Sequence, residues 1–195
     1  MSVLPRIRAG DVIERFEVET VSNERLSIPA DFILTHLQFR RFAGCPVCTL
    51  HLRSFVRRHD ALKARRIREV VVFHSSRGAL LEHHADFPFA LVADPSRQLY
   101  RKFGVDRTLG SLLNPAAWPA VIKGAVSTKT VFPERALTAF ELPADFLVAP
   151  DGRVLAGKYG RHADDQWSVD ELISLSNSTE ASKIQQKEYS NERTH

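Results

Sequence analysis

Phe39-Arg40-Arg41-Phe42-Ala43-Gly44-Cys45-Pro46-Val47-Cys48-Thr49-Leu50-His51-Leu52 is the stretch whose reading fixes the rest of the chain. A β-rich apolar run, residues 33–39, leads into it, and the segment from Pro46 to about Arg66 contains no Gly and no further Pro. Proline suits a first helical position, because the N–H it lacks would have no intrahelical partner there. At about 100° per residue, Cys48, Leu52, Phe55, His59 and Leu62 share one face, with Arg53, Arg57 and Asp60 opposite. The spacing predicts a buried strand, a loop relaxed by Gly44, and one long amphipathic helix with a CxxC at its start.

On the N-terminal side, residues 16–21 and 25–28 read as two short strands about the polar turn Ser22-Asn23-Glu24. Downstream, an apolar strand at 70–73 precedes a helix capped by Ser75 or Ser76 and running to about Ala85, then a strand at 89–93. A short helix over 94–103 is closed by Gly104. The stretch from Val105 to Leu142 mixes apolar residues, Gly and Pro with no sustained period and reads as an insertion. Residues 146–149, the Asp151-Gly152 turn and residues 153–156 form a hairpin, and a last helix runs from Ser168 to about Leu175. Residues 177–195 are too polar to offset the entropy of ordering, so a flexible tail is expected after one domain spanning 1–176.

Composition agrees with one globular core. The chain has 195 residues, 44% hydrophobic and 26% charged, which excludes a wholly disordered chain or a low-complexity fibre. Its 27 Lys plus Arg exceed 23 Asp plus Glu by a net +4, too little to imply nucleic acid as a partner. The Arg-rich run from Arg53 to Arg68 is interleaved with the apolar stripe and reads as a solvated face. No run approaches the 18 or so apolar residues of a spanning helix, and the N-terminus lacks a secretory pattern, so a cytoplasmic protein without membrane contact is expected. Two cysteines cannot staple a secreted domain of this size; their use is chemical.

A CxxC that follows a strand and opens a helix, inside alternating strands and helices, is a redox signal with a mechanism. Cys45 falls at the N-cap, where unpaired N–H groups and the helix dipole stabilise a thiolate, and Arg40 and Arg41 add to this if they fold back. Cys48, one turn in and on the buried stripe, is less open to substrate and solvent than Cys45 and suits the resolving thiol. Attack by Cys45 on a peroxide or disulfide gives a sulfenic acid or mixed disulfide, and Cys48 then closes the internal disulfide, with no cofactor and no metal required. Zinc is the competing reading, since Cys45, Cys48 and His51 have CxxCxxH spacing with His36, His74, His83 or His84 as a fourth ligand. No second cysteine pair exists to complete such a site. Haem attachment needs His where Thr49 stands. Thr49 offers a hydroxyl near the thiols, His59 reads as a core histidine, and His83 and His84 as facing water.

At these residues the chain resembles the thioredoxin superfamily, and within it the peroxiredoxin-like branch, the alkyl hydroperoxide reductase and thiol-specific antioxidant group. The markers are the 39–52 run, Ala93-Asp94-Pro95 with Leu99-Tyr100 and Phe103-Gly104-Val105, and 142–148 before Asp151-Gly152, across about residues 8–175. The resemblance implies an α/β thioredoxin-like fold, with a central mixed sheet flanked by helices, an N-terminal hairpin and an insertion before the last hairpin. It implies a thiol-dependent oxidoreductase, an antioxidant that reduces hydroperoxides through Cys45 and Cys48, supported by Gly44, Pro46, Thr49, Arg41 and Pro143. The implied partners are a hydroperoxide or disulfide substrate, a thioredoxin, glutaredoxin or small-thiol reductant, and a second copy in a homodimer. Pro143 looks like the cis-proline that lies against the dithiol in such folds. Aligning Cys48 as the peroxidatic residue instead puts Cys45 where these enzymes carry a hydroxyl, Arg41 where they carry Pro, and Pro143 near the place of their peroxide-polarising Arg. A protein disulfide reductase and a redox-sensing binding module are the alternatives the residues leave open.

Overall fold

The computed structural model describes residues 6–105 and 142–177. The expected insertion between Val105 and Leu142, Trp118 within it, and the expected tail beyond Asn177 lie outside the described residues.

Twelve elements follow one another in the described residues: β1 (Phe16–Glu19), β2 (Arg25–Ile28), β3 (Leu34–Arg40), α1 (Pro46–Arg57), α2 (His59–Ala64), β4 (Ile67–Phe73), α3 (Arg77–His84), β5 (Ala90–Ala93), α4 (Gln98–Lys102), β6 (Ala144–Val148), β7 (Val154–Tyr159) and α5 (Val169–Ser176). β3 is buried at every position and lies at the centre of a five-stranded sheet of order β5-β4-β3-β6-β7. β3, β4 and β5 are mutually parallel, because helical crossovers join them, whereas β6 and β7 form an antiparallel hairpin whose first strand pairs with β3. β1 and β2 form a separate antiparallel pair.

Alternation along the strands divides the core in two. Leu52, Phe55, Leu62, Leu80 and Leu172 from α1, α2, α3 and α5 pack on one face of the sheet with Val71, Phe73 and Leu147. The other face meets the β1-β2 pair and α4 through Ile28, Phe39, Val72, Phe103 and Phe146. The central mixed sheet, helices on its faces and N-terminal hairpin match the expected fold. Among the described residues no helix is long and apolar enough to cross a membrane.

Three local expectations change. The single long helix is two: Arg58, at φ −112° and ψ 13°, bonds its N–H to Phe55 O at 3.1 Å, an i−3 tightening that ends α1 and starts α2. The apolar stripe survives the break, with Cys48, Leu52 and Phe55 buried on α1 and Leu62 on α2. Among the described residues the cis peptide bond is Ile28–Pro29 and not the bond before Pro143, whose carbonyl instead extends the β6-β7 pairing by accepting the Gly160 N–H at 2.8 Å. His84 does not face water: it is buried between the rings of Phe73 and Phe87, with centroids 5.3 and 4.7 Å away.

Two glycines differ in what they do. Gly152, in the β6-β7 turn, has φ +87°, and a Cβ there would lie 2.5 Å from the Ile13 carbonyl oxygen. Gly78, in the first turn of α3, has open space where a Cβ would go. Gly152→Ala is expected to lower unfolding free energy by roughly 2 kcal/mol. Gly78→Ala is expected to raise it by about 0.5 kcal/mol. Urea unfolding of both variants checks this, and shifts of the same sign would contradict the packing described.

Candidate active site at the start of α1

Cys45 is the N-cap of α1, in extended conformation at φ −68° and ψ 114°, with Pro46 in the first turn. Its Sγ accepts the Cys48 N–H at 3.5 Å, and the Nη1 of Arg41 approaches it at 3.9 Å. Gly44 makes the turn into the helix at φ +73°, and a Cβ there would lie 2.9 Å from the His83 imidazole, so this loop is packed under α3. Thr49, half-buried, sends its N–H to the Cys45 carbonyl at 2.9 Å. Pro143, buried, immediately precedes β6, whose Ala144 pairs with Phe39 near the end of the strand leading to the cysteines.

The two thiols are reduced and differ sharply in acidity. A hydrogen bond from the Cys48 thiol, opposed by burial and aided by the α1 N–H groups and Arg41, lowers the Cys45 thiol from its ordinary 9.0 to about 6. Giving that hydrogen bond, together with burial, pushes the Cys48 thiol well above the ordinary range. Cys45 is thus a thiolate at neutral pH beside a protonated partner. Both residues are only 1% exposed, so the expectation that Cys45 stands more open than Cys48 is not met.

Beneath α1, on the face of the sheet it covers, lies a group of buried polar residues of which sequence reading named only His36, as a metal ligand, and Arg40, which turns into the core and does not fold back over Cys45. His36 Nδ1 meets Glu69 Oε2 at 2.7 Å and its Nε2 meets Asp145 Oδ1 at 3.2 Å. Arg40 Nη2 donates to Asp145 Oδ1 and to Gln38 Oε1, each at 2.6 Å, and Gln38 Nε2 donates to Glu69 Oε2. The five side chains close a ring of hydrogen bonds, and each is at most 2% exposed. Both nitrogens of His36 face carboxylates, so both carry protons. Burial alone would lower its pKa, but Glu69 and Asp145 together raise it from 6.5 to about 9. Asp145, which burial would raise, is held below the usual carboxylate range by Arg40 and His36. His51, one turn beyond Cys48, takes a long contact from Arg40 Nη2 at 3.4 Å; burial and the Arg40 charge lower it to about 3 and keep it neutral.

Of the residues read from the sequence, Cys45, Cys48, Gly44, Pro46, Thr49 and Arg41 converge at the α1 N-terminus. His36 and His51 are engaged by carboxylates and by Arg40, and among the described residues no group of three or more His, Cys, Asp or Glu is placed to hold a metal ion. A cavity of about 510 Å³ beside α2 and α3 is lined by His59, Lys63, Arg68 and His84 and by neither cysteine. The signal for the ring was present as His36, Gln38 and Arg40 at alternate positions of a strand, which places them on one face.

Two pH dependences follow. Alkylation of Cys45 by iodoacetamide should titrate with a midpoint near 6, and Arg41→Gln should raise that midpoint; a wild-type midpoint near 9 would contradict the arrangement. His36 binds its proton more tightly folded than unfolded, so its stabilisation is full below about pH 6.5 and is lost as pH rises through about 9. Ionisation of the cysteines also counts in this window, Cys45 acting oppositely and Cys48 in the same direction, so the Cys45→Ser/Cys48→Ser protein isolates the effect. Its unfolding free energy should fall by about 3 kcal/mol between pH 6.5 and 9.5, and no fall would mean that His36 is not held as an imidazolium.

The family model described as AhpC/TSA antioxidant enzyme matches residues 54–162, beginning C-terminal to both cysteines. No curated protein sequence matches the chain. Among solved structures, a peroxidoxin of Mycobacterium tuberculosis is similar at 15% identity and TM-score 0.63, over 87% of this chain and 97% of that one. The thiol peroxidase of Chromobacterium violaceum gives 16% and 0.60, over 91% of each chain. The reduced 2-Cys peroxiredoxin of Plasmodium vivax gives 16% and 0.62, over 91% of this chain and 84% of that one. At these identities the structures show a shared thioredoxin-like fold. The family match supports thiol-dependent redox function of this broad kind: the chain belongs to the AhpC/TSA antioxidant enzyme family.

Proposed function

We propose that the protein is a thiol-dependent reductase of hydroperoxides that cycles between the Cys45-Cys48 dithiol and its disulfide. The observation that carries this reading is the asymmetry of the pair: Cys45 is stabilised as a thiolate by the Cys48 thiol, the α1 N–H groups and Arg41, while Cys48 keeps its proton. The thiolate attacks one oxygen of the hydroperoxide and the O–O bond breaks. The departing alkoxide takes a proton from solvent and leaves as the alcohol, and Cys45 becomes a sulfenic acid. Cys48 sulfur then attacks Cys45 Sγ, the S–S bond forms, and water departs with the Cys48 proton. Two thiol equivalents from a thioredoxin, a glutaredoxin or a small thiol restore the pair.

Arg41 takes the part that the sequence left unfilled. Its guanidinium, 3.9 Å from Cys45 Sγ, is positioned to polarise a peroxide held against the sulfur. Gly44 allows the turn, Pro46 starts the helix, Thr49 bonds its backbone to Cys45, and Pro143 closes the neighbouring strand end. Because Cys45 is almost wholly covered, substrate reaches it when the Arg41–Gly44 loop yields. The working unit in this reading is one domain over 1–176, in a reducing cytoplasm that returns the disulfide to the dithiol.

Single-turnover oxidation of the reduced protein by hydrogen peroxide and by an organic hydroperoxide tests the proposal. The expected product is lighter by two hydrogens and linked Cys45 to Cys48. Cys45→Ser should lose at least about 1,000-fold in rate, a nucleophile's share of the barrier. Cys48→Ser should still oxidise once and stop at the sulfenic acid. Negligible reaction of the folded wild type with either peroxide would sink the peroxidase reading and leave disulfide exchange.

A further inference from the structure

Four charged side chains sit dry beneath the helix that carries the dithiol, and the thiol chemistry above assigns them no role. Arg40, His36, Glu69 and Asp145 are each at most 2% exposed. Arg40 Nη2 lies 3.4 Å from His51, one turn from Cys48, and Phe55 of α1 stacks over His36 at 5.6 Å. With His36 protonated, two positive charges balance two carboxylates, so the ring has no net charge, but the charged group that reaches a polar side chain of α1 is the Arg40 guanidinium, through His51. A buried ionic group of this kind is rarely worth more in stability than apolar packing of equal volume. Its position calls for another account.

We infer that the ring is a redox-tuning element: it fixes the Arg40 guanidinium under α1, where its charge stabilises the anion that reduction places on the Cys45-Cys48 couple, and so sets the couple's reduction potential. The inference rests on reading these two cysteines as the working couple. In reduction by glutathione, a glutathione thiolate bonds to Cys45 Sγ, the Cys45–Cys48 bond breaks, and Cys48 leaves as a thiolate and takes a proton. A second glutathione displaces Cys45 as the thiolate. The sum is disulfide plus two glutathione thiols giving one thiolate, one thiol, oxidised glutathione and one proton. Negative charge appears on the protein, and positive charge beneath α1 favours it. Asp145 and His36 are positioning residues with opposite signs: Asp145 offsets Arg40, and His36 offsets Asp145 and Glu69. The groups facing His36 are Glu69 from β4, Asp145 from β6, Arg40 from its own strand and neutral His51 from α1, with the rings of Phe55 and Trp167 closing the space.

The test is equilibration of the full chain with glutathione redox buffers at pH 7. Asp145→Asn, in which Glu69 still keeps His36 protonated, should make the couple more oxidising by about tenfold in the equilibrium constant, close to 30 mV. His36→Gln should make it more reducing by a similar factor. Shifts of the same sign, or below about twofold, would overturn the inference, since structural loosening has no reason to act in opposite directions. Linkage gives a second arm that needs no variant: if the ring biases the couple, the couple must bias the ring. His36, followed by imidazole NMR in the wild type, should titrate at higher pH in the dithiol than in the disulfide form. Equal midpoints would overturn the inference whether or not the variants fold. A wild type that forms no Cys45-Cys48 disulfide would fail the proposed function itself, and the inference with it.

Discussion

The constraint on which the rest of the structure depends is charge neutrality in the dry centre of the sheet. Ionised groups removed from water are costly unless each finds a partner, and a buried charge left alone costs about 3–5 kcal/mol. The partners here come from three strands, so their pairing fixes how those strands align. His36 sits directly across from Glu69 in the parallel β3-β4 register, and Gln38 across from Asp145 in the antiparallel β3-β6 register. A slip of one residue on either side would turn a carboxylate to the opposite face and leave an imidazolium or a guanidinium without a counterion. An apolar strand such as β4 would accept several registers on hydrophobicity alone; Glu69 makes one of them far better than the others.

The dithiol solves a related problem at the helix end. One hydrogen bond, from Cys48 to Cys45, lowers one thiol and raises the other, so the pair divides into nucleophile and proton holder with no base between them. The extended backbone at Cys45 makes this possible, because an N-cap side chain points back at the N–H groups of the first turn. The helix that α1 offers is held by Leu52 and Phe55 on the same sheet face as the ring, which brings the two charge systems together.

Much of this was legible in sequence because it depends on local rules. Pro46 after Cys45, the polar Ser22-Asn23-Glu24 turn, Ser168 and Asp151-Gly152 each mark an element end within a few residues, and the structure has an end at each. The break at Arg58 was not legible, because no Gly or Pro marks it. The ring was hidden because its members lie far apart in the sequence. His36, Glu69 and Asp145 are separated by 33 and 109 positions in their two contacts, and no local pattern joins a histidine to carboxylates so far away. The exposure of Cys45 was misjudged because N-cap position says which groups meet the sulfur and not what covers it.

Arg40 and Arg41 show how neighbouring residues of one type come to unlike work. Arg40 is the last residue of β3, so strand alternation turns it into the core, whereas Arg41 lies beyond the strand and reaches Cys45 from the loop. The inner position demands an arginine for a geometric reason. Its Nη1 donates to the Phe39 and Ala144 carbonyls, and its Nη2 reaches Gln38, Asp145 and His51. Lysine has three donors on one atom and cannot span these five acceptors, which lie on two strands and a helix. The same forked group ties β3 to β6 and α1 and places a permanent charge beneath the first turns of α1, so whatever fixes the fold here also fixes the field in which the thiols react.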